Sequence, residues 1–217
     1  MENNIDCLFK HSETKTSKAL EIIHNDLWGP TPTESNQSFR YYISFIDDKT
    51  RYTWIYRLTR KSQALTLFMS FKNQVEKSLE LKIETLQYDM GGEYKIFEQY
   101  LKHEGISLRY SCPYTYHQNG KVERKHKHLV ETGLTLLAQS GLPLKFWWEA
   151  FTNATYLINR TSTPTLNDKT HFESLYSKKL DYSLIKIFGC ECYPFMRSYN
   201  RHKFDFHTST CVNLRFS

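Results

Sequence analysis

Three carboxylates stand in settings that suit metal chemistry. Asp26 closes the run L-E-I-I-H-N-D (20–26), and Asp89 follows I-E-T-L-Q-Y (83–88) and precedes Gly91-Gly92. Glu123 lies within Q-N-G-K-V-E-R-K (118–125), among Lys121, Arg124 and Lys125. Phosphoryl transfer must stabilise extra negative charge on a phosphorus passing through in-line displacement, and divalent metals held by carboxylates can do this. Mg²⁺ takes hard oxygen ligands and keeps several waters, so one shared acid plus one acid per metal is the minimum set. Cations beside such acids suit a polyanionic substrate.

The elements that must position these acids are read from hydrophobic period and turn residues. Leu20–Trp28 has strand character and stops at Gly29-Pro30. Phe39–Ile46 and Tyr52–Leu58 are aromatic and β-branched, and a polar turn at Asp47–Thr50 joins them as a hairpin. Lys61–Leu81 changes to helical spacing. Then come a strand at Ile83–Tyr88, a short helix at Ile96–His103, a strand at Ile106–Ser111 and a polar loop at Pro113–Gly120. Helices follow at Lys121–Gln139 and Lys145–Ile158. Residues beyond Arg160 are linker-like, and Leu184–Phe188 and Glu191–Met196 are short strand-like pieces. Three leading strands followed by strands alternating with helices predict an α/β fold, a mixed sheet with helices on its faces.

On this reading Glu123 occupies the first turn of its helix, where the macrodipole favours a carboxylate. Lys121, Lys125 and His128 share one face, and Val130, Leu134 and Leu137 carry the Glu123 face into the core. The bland readings stand beside these. A strand-end Asp is ordinarily a turn or cap residue, as Asp47 and Asp48 illustrate, although Asp47 can support the site from a neighbouring strand. Glu93 reads as a solvated loop residue. Lys121, Arg124, Lys125 and Lys127 read equally well as a solvated helix face.

Bulk composition bounds the class. With 40% hydrophobic and 15% aromatic residues, the chain of 217 can bury a sizeable core. A net charge of +6 leans toward polyanionic partners. Five cysteines, no secretory segment and no membrane-length apolar run indicate a reduced, non-secreted setting. The sequons at Asn36, Asn153 and Asn159 are then chance matches. The aromatic helix around Trp147 and Trp148 reads as core or, alternatively, as an interface.

Six motifs carry a resemblance. They are L-E-I-I-H-N-D-L-W-G-P (20–30), Y-I-S-F-I-D-D-K-T-R-Y-T-W-I-Y (42–56), D-M-G-G-E-Y (89–94), P-Y-T-Y-H-Q-N-G-K-V-E-R-K (113–125), F-W-W-E-A-F-T-N-A-T-Y-L-I-N-R (146–160) and F-G-C-E-C-Y-P (188–194). With them, the chain resembles the integrase of copia-type LTR retrotransposon Pol polyproteins. The resemblance implies a ribonuclease-H-like five-stranded mixed sheet flanked by helices, with Asp26, Asp89 and Glu123 as the metal-binding catalytic triad and Mg²⁺ or Mn²⁺ as cofactor. It implies 3′-end processing and strand transfer on DNA, a homo-multimer joining two DNA ends, nuclear action and no membrane. Lys121, Arg124, Lys125, Lys127, Tyr114 and Asn119 are the expected DNA contacts. The expected division is a remnant of an N-terminal zinc region or linker at 1–17, the catalytic core at 18–180 and the start of a truncated C-terminal region at 181–217.

Several positions depart from the family. The 33 residues between Asp89 and Glu123 are two fewer than usual, Met90 stands for Asn, and Tyr116 stands for Pro. Asn4 lies three before Cys7 where the zinc module needs Cys, with no room for its His pair, so zinc is not expected. Cys190, Cys192 and Cys211 read as buried thiols. The ending L-R-F-S replaces L-G-Y-S, as in a fragment or decayed copy. These departures leave open an alternative, a catalytically inactive integrase fragment that only binds nucleic acid.

Overall fold

The computed structural model describes residues 16–88, 95–110, 116–195 and 207–215. Five strands form one sheet in the order β3-β2-β1-β4-β5. They are β1 (Ile22–Trp28), β2 (Tyr41–Asp47), β3 (Thr53–Leu58), β4 (Thr85–Tyr88) and β5 (Ser107–Tyr110). β1, β2 and β3 pair antiparallel, as the short polar turn between β2 and β3 allows, while β4 joins β1 and β5 joins β4 in parallel. Each parallel addition needs a crossover, supplied by α1 (Ala64–Leu79) and α2 (Lys95–His103).

The period of two along β1 sends Ile23 and Leu27 to one face and His24, Asp26 and Trp28 to the other. On the first face Ile23, Ile43, Phe45, Leu86 and Tyr88 bury against Phe68, Phe71 and Val75 of α1 and Phe97 and Leu101 of α2. Phe45 and Phe71 stack with centroids 4.2 Å apart. On the second face Tyr42 packs with Leu129 and Leu137 of α3 (Tyr116–Ser140) and with Trp147, Ala150, Phe151 and Ile158 of α4 (Trp147–Arg160). α3 and α4 approach closely at Gly133, where a Cβ would lie 2.4 Å from the Phe151 ring. The Asn159 side chain pairs with the β3 backbone, accepting from Thr53 N at 3.0 Å and donating to Thr53 O at 2.8 Å.

Several expectations are corrected. α3 starts at Tyr116, five residues before the predicted start, and runs through Asn119-Gly120, a pair that reads as a turn. Gly within a helix costs about 1 kcal/mol, which tertiary packing overrides. Here Gly120 is buried, and Arg124 Nη1 lies 3.0 Å from where a Cβ would stand. Glu123 is therefore two turns inside the helix, and the macrodipole argument for it fails. Leu134 is 45% exposed, because the buried face of α3 runs through Val122, Leu129, Gly133 and Leu137 instead.

The linker-like region contains α5 (His171–Tyr176), started by a capping box in which Glu173 N donates to Thr170 Oγ1 and Thr170 N donates to Glu173 Oε2. Residues 185–188 form no strand, and they pair with no strand among the described residues; β6 (Glu191–Cys192) pairs with β7 (Cys211–Val212). Cys190, Cys192 and Cys211 are half-buried free thiols on that small ribbon, rather than core residues. Trp147 and Trp148 are core, and Asn153 and Asn159 are buried, so neither of those two sequons is reachable in the fold.

Candidate active site

Asp26 is half-buried on β1, between His24 and Trp28 on the same strand face. Each neighbour ties the strand to α3. On one side His24 Nε2 donates to Asp48 Oδ1 at 2.9 Å, and the same oxygen accepts from Lys121 Nζ at 3.0 Å. On the other side the Trp28 and His126 rings lie 5.3 Å apart, and Tyr42 Oη is hydrogen-bonded to His126 Nδ1 at 2.5 Å. Residues 121–126 rise about 7.5 Å along the helix, while His24 to Trp28 spans about 13 Å of strand. α3 is thus pinned to β1 on both sides of Asp26, and Glu123 lies between the two pins. Glu123 itself is exposed.

Local electrostatics around Asp26 come from buried groups. Burial, and then the Asp26 charge, pushes the Tyr42 phenol far above its ordinary range. Burial draws His126 down, against the opposing pull of Asp26. Both therefore stay neutral at neutral pH and add no positive charge beside Asp26.

Asp48 is 5% exposed and gathers four donors, from His24, Lys121, Arg51 at 2.9 Å and Thr16 at 3.2 Å. Burial opposes its charge, yet these partners hold its carboxyl well below the usual carboxylate range. Asp47, the expected supporter, is instead closed inside its own turn, accepting from Leu20 N, Thr50 N and Thr50 Oγ1.

The structure separates the expected DNA contacts. Arg124 and Lys127 are exposed, and Lys127 makes a long pair of 3.8 Å with Glu131. Lys121 is paired to Asp48, and Lys125 Nζ lies 3.2 Å from His171 Nε2. His171 Nδ1 donates to Thr50 O at 3.0 Å, so its Nε2 must accept from Lys125. Burial, and then Arg51, lowers Lys125 to about 8. Burial, and then the Lys125 charge, lowers His171 to about 4. Asn119 lies in the first turn of α3, while Asp89, Glu93 and Tyr114 lie outside the described residues. Asp48 and His171 are site neighbours that sequence reasoning missed. Both act across long sequence separations, and only the D-D-K-T-R turn signalled the first.

Among the described residues no three His, Cys, Asp or Glu side chains gather closely enough to hold a metal ion. The two acids that are described, Asp26 and Glu123, offer the hard carboxylate oxygens that Mg²⁺ prefers, and the third acid of the expected set is Asp89. Among the described residues no helix is long and apolar enough to cross a membrane.

Comparisons with known proteins bear on the family and the fold. Residues 16–115 match the integrase core domain. The chain is 44% and 43% identical, over 96% of its length, to the retrovirus-related Pol polyproteins from transposons RE2 and RE1 of Arabidopsis thaliana. It is 33% identical to that from transposon TNT 1-94 of Nicotiana tabacum. The chain spans only 14% of the length of the two Arabidopsis relatives.

Among solved structures, a chain of the simian T-cell lymphotropic virus intasome in complex with PP2A regulatory subunit B56 gamma aligns with TM-score 0.60 at 17% identity, over 77% of this chain and 58% of that one. The HTLV-2 integrase catalytic core domain, solved in complex with magnesium in a trimeric form, aligns with TM-score 0.52 at 15% identity, over 72% and 96%. The BIV integrase catalytic core domain aligns with TM-score 0.52 at 16% identity, over 73% and 95%. The fold is that of retroviral integrase cores, a ribonuclease-H-like mixed sheet flanked by helices. Residues 16–115 are thus similar to the integrase core domain, and nearly the whole chain is similar to a part of the Pol polyproteins of plant retrotransposons.

Proposed function

We propose that this chain catalyses metal-dependent processing of DNA 3′ ends and their transfer into target DNA. The observation that supports the reading is the double pinning of α3 to β1, with one pin on either side of Asp26 along the strand and of Glu123 along the helix. Asp26 and Glu123, with Asp89, would hold Mg²⁺ or Mn²⁺, which when bound stabilises charge developing on the phosphorus. Asp26 is held by the sheet and Glu123 by a helix clamped from two sides, so both carboxylates are preorganised before substrate arrives. Exposed Arg124 and Lys127 supply phosphate contacts beside Glu123. DNA ends, target DNA and further copies of the chain are the partners, and action on chromosomal DNA is nuclear.

The test uses oligonucleotides carrying the element's terminal sequence, with Mn²⁺ or Mg²⁺. The expected result is end trimming and strand transfer that fall to background in Asp26→Asn and Glu123→Gln, with DNA binding retained. A second reading, binding without catalysis, is favoured by the two-residue deficit between Asp89 and Glu123. It predicts an inactive wild-type chain, salt-sensitive DNA binding that survives Asp89→Asn, and activity only when two residues are inserted after Tyr94.

A further inference from the structure

The flank of α3 opposite Glu123 is bonded into the protein. Lys121 is tied to Asp48, and Lys125 one turn later is tied to His171. Both anchors are buried and braced. Asp48 is held by His24 and Arg51, and His171 is held by Thr50 O. All of Thr16, Asp48, Thr50 and Arg51 belong to, or bind, the turn between β2 and β3. At 100° per residue, Lys121 and Lys125 each sit about 160° around the helix from Glu123.

Two ties spaced four residues apart on one flank resist rotation of a helix about its own axis. Packing of Val122 and Leu129 resists it less, because apolar contacts are non-directional. A Glu carboxylate stands about 6 Å from the helix axis, so a roll of about 20° moves it by about 2 Å. Metal ligands must be held to about 0.5 Å.

We propose that Asp48 and His171 are positioning residues, forming with Lys121 and Lys125 a roll lock that turns Glu123 toward the strand carrying Asp26. The inference rests on the reading of Asp26 and Glu123 as metal ligands. It assigns Lys121 and Lys125 to geometry, leaving DNA contact to the outer arc of the helix.

Charge and geometry predict opposite effects here. Removing two cations close to a cation site raises metal affinity on electrostatic grounds alone, so a fall can come only from lost positioning. Mn²⁺ affinity of the DNA-free chain, measured by electron paramagnetic resonance, is the readout, with melting temperature followed in parallel. Lys121→Met/Lys125→Met should weaken Mn²⁺ binding by about tenfold with little change in melting temperature, since the Lys121 side chain is 45% exposed and burial disfavours the Lys125 cation that methionine replaces. Lys121→Arg, which can still reach Asp48, should keep most of the affinity that Lys121→Met loses. Asp48→Asn should act in the same direction, and if it fails to fold, the lysine variants decide alone. Arg124→Met/Lys127→Met should leave Mn²⁺ affinity unchanged while weakening DNA binding. Unchanged or raised Mn²⁺ affinity in Lys121→Met/Lys125→Met, with binding abolished by Asp26→Asn, overturns the roll lock alone. A wild-type chain that binds no Mn²⁺ overturns the metal reading and the lock together.

Discussion

His171→Gln replaces a titrating ring with an amide that still offers a donor and an acceptor between Thr50 O and Lys125. In the folded chain burial first, then the charges of Lys125, Arg51 and His128, draws this imidazole from 6.5 down to about 4. Between those values the unfolded chain binds more protons than the folded one, so stability rises with pH across that window. The contribution is complete above the unfolded value and is lost as pH falls toward the folded one. At about 1.4 kcal/mol per unit, the whole window is worth about 3 kcal/mol. About 2 kcal/mol of it is gone by about pH 5. In a chain of this size 1 kcal/mol moves Tm by about 2–4 °C, so this group alone should lower Tm by about 4–8 °C between about pH 7 and pH 5. Thermal unfolding followed by circular dichroism at the two pH values, in wild type and variant, isolates the effect. The variant should lose that part of the fall. Equal falls in both proteins would refute the reasoning that His171 is held neutral between Thr50 and Lys125.

Two further outcomes follow from named contacts. Asn159→Ala leaves the buried Thr53 N–H and C=O without their side-chain partners. It should cost about 2–4 kcal/mol, seen as a lower urea midpoint with unchanged slope. Arg124→Ala and Lys127→Ala should each reduce the slope of log affinity against log salt for duplex DNA by about 0.9, whereas a slope that does not move would remove these two from the phosphate contacts.

What was legible in the sequence follows from what is local. The hairpin of β2 and β3, the helical period of α1 and the strand ending before Asp89 are short-range patterns, and each reappears with boundaries shifted by a few residues. Strand alternation alone puts His24, Asp26 and Trp28 on one face, which the contacts bear out. The start of α3 differs because Asn119-Gly120 signals a turn, whereas Gly120 is buried within the helix, and burial is not a local pattern. α5 was missed because six residues are too few to show a period, although T-H-F-E carries its capping box. Asp48 and His171 were missed as site neighbours because their partners Lys121 and Lys125 lie 73 and 46 residues away. Residue type shows that a side chain is a cation, but the fold decides what neutralises it.

That distinction divides α3 into three arcs with separate duties. Taking 100° per residue from Val122, the inner arc holds Val122, His126, Leu129 and Gly133, and it packs on β1, Tyr42 and α4. The lock arc holds Lys121 and Lys125 against the β2–β3 turn and α5. The outer arc holds Glu123, Lys127 and Arg124, all exposed. Glu123 and Lys127 stand one turn apart on that arc, so a DNA strand reaching the carboxylate passes the ammonium as well. Four cations in a row would suggest four phosphate contacts, but the two on the lock arc are already bonded inside the protein. With Arg124 and Lys127, of these four, left exposed to reach phosphate, the four together should contribute a salt slope near −1.8 rather than −3.6. Between about 50 and 200 mM salt, the difference amounts to roughly tenfold in affinity. A helix whose cations were all solvated would show the steeper dependence. The shallower one is the signature of a helix that devotes half its positive charge to holding Glu123 in place.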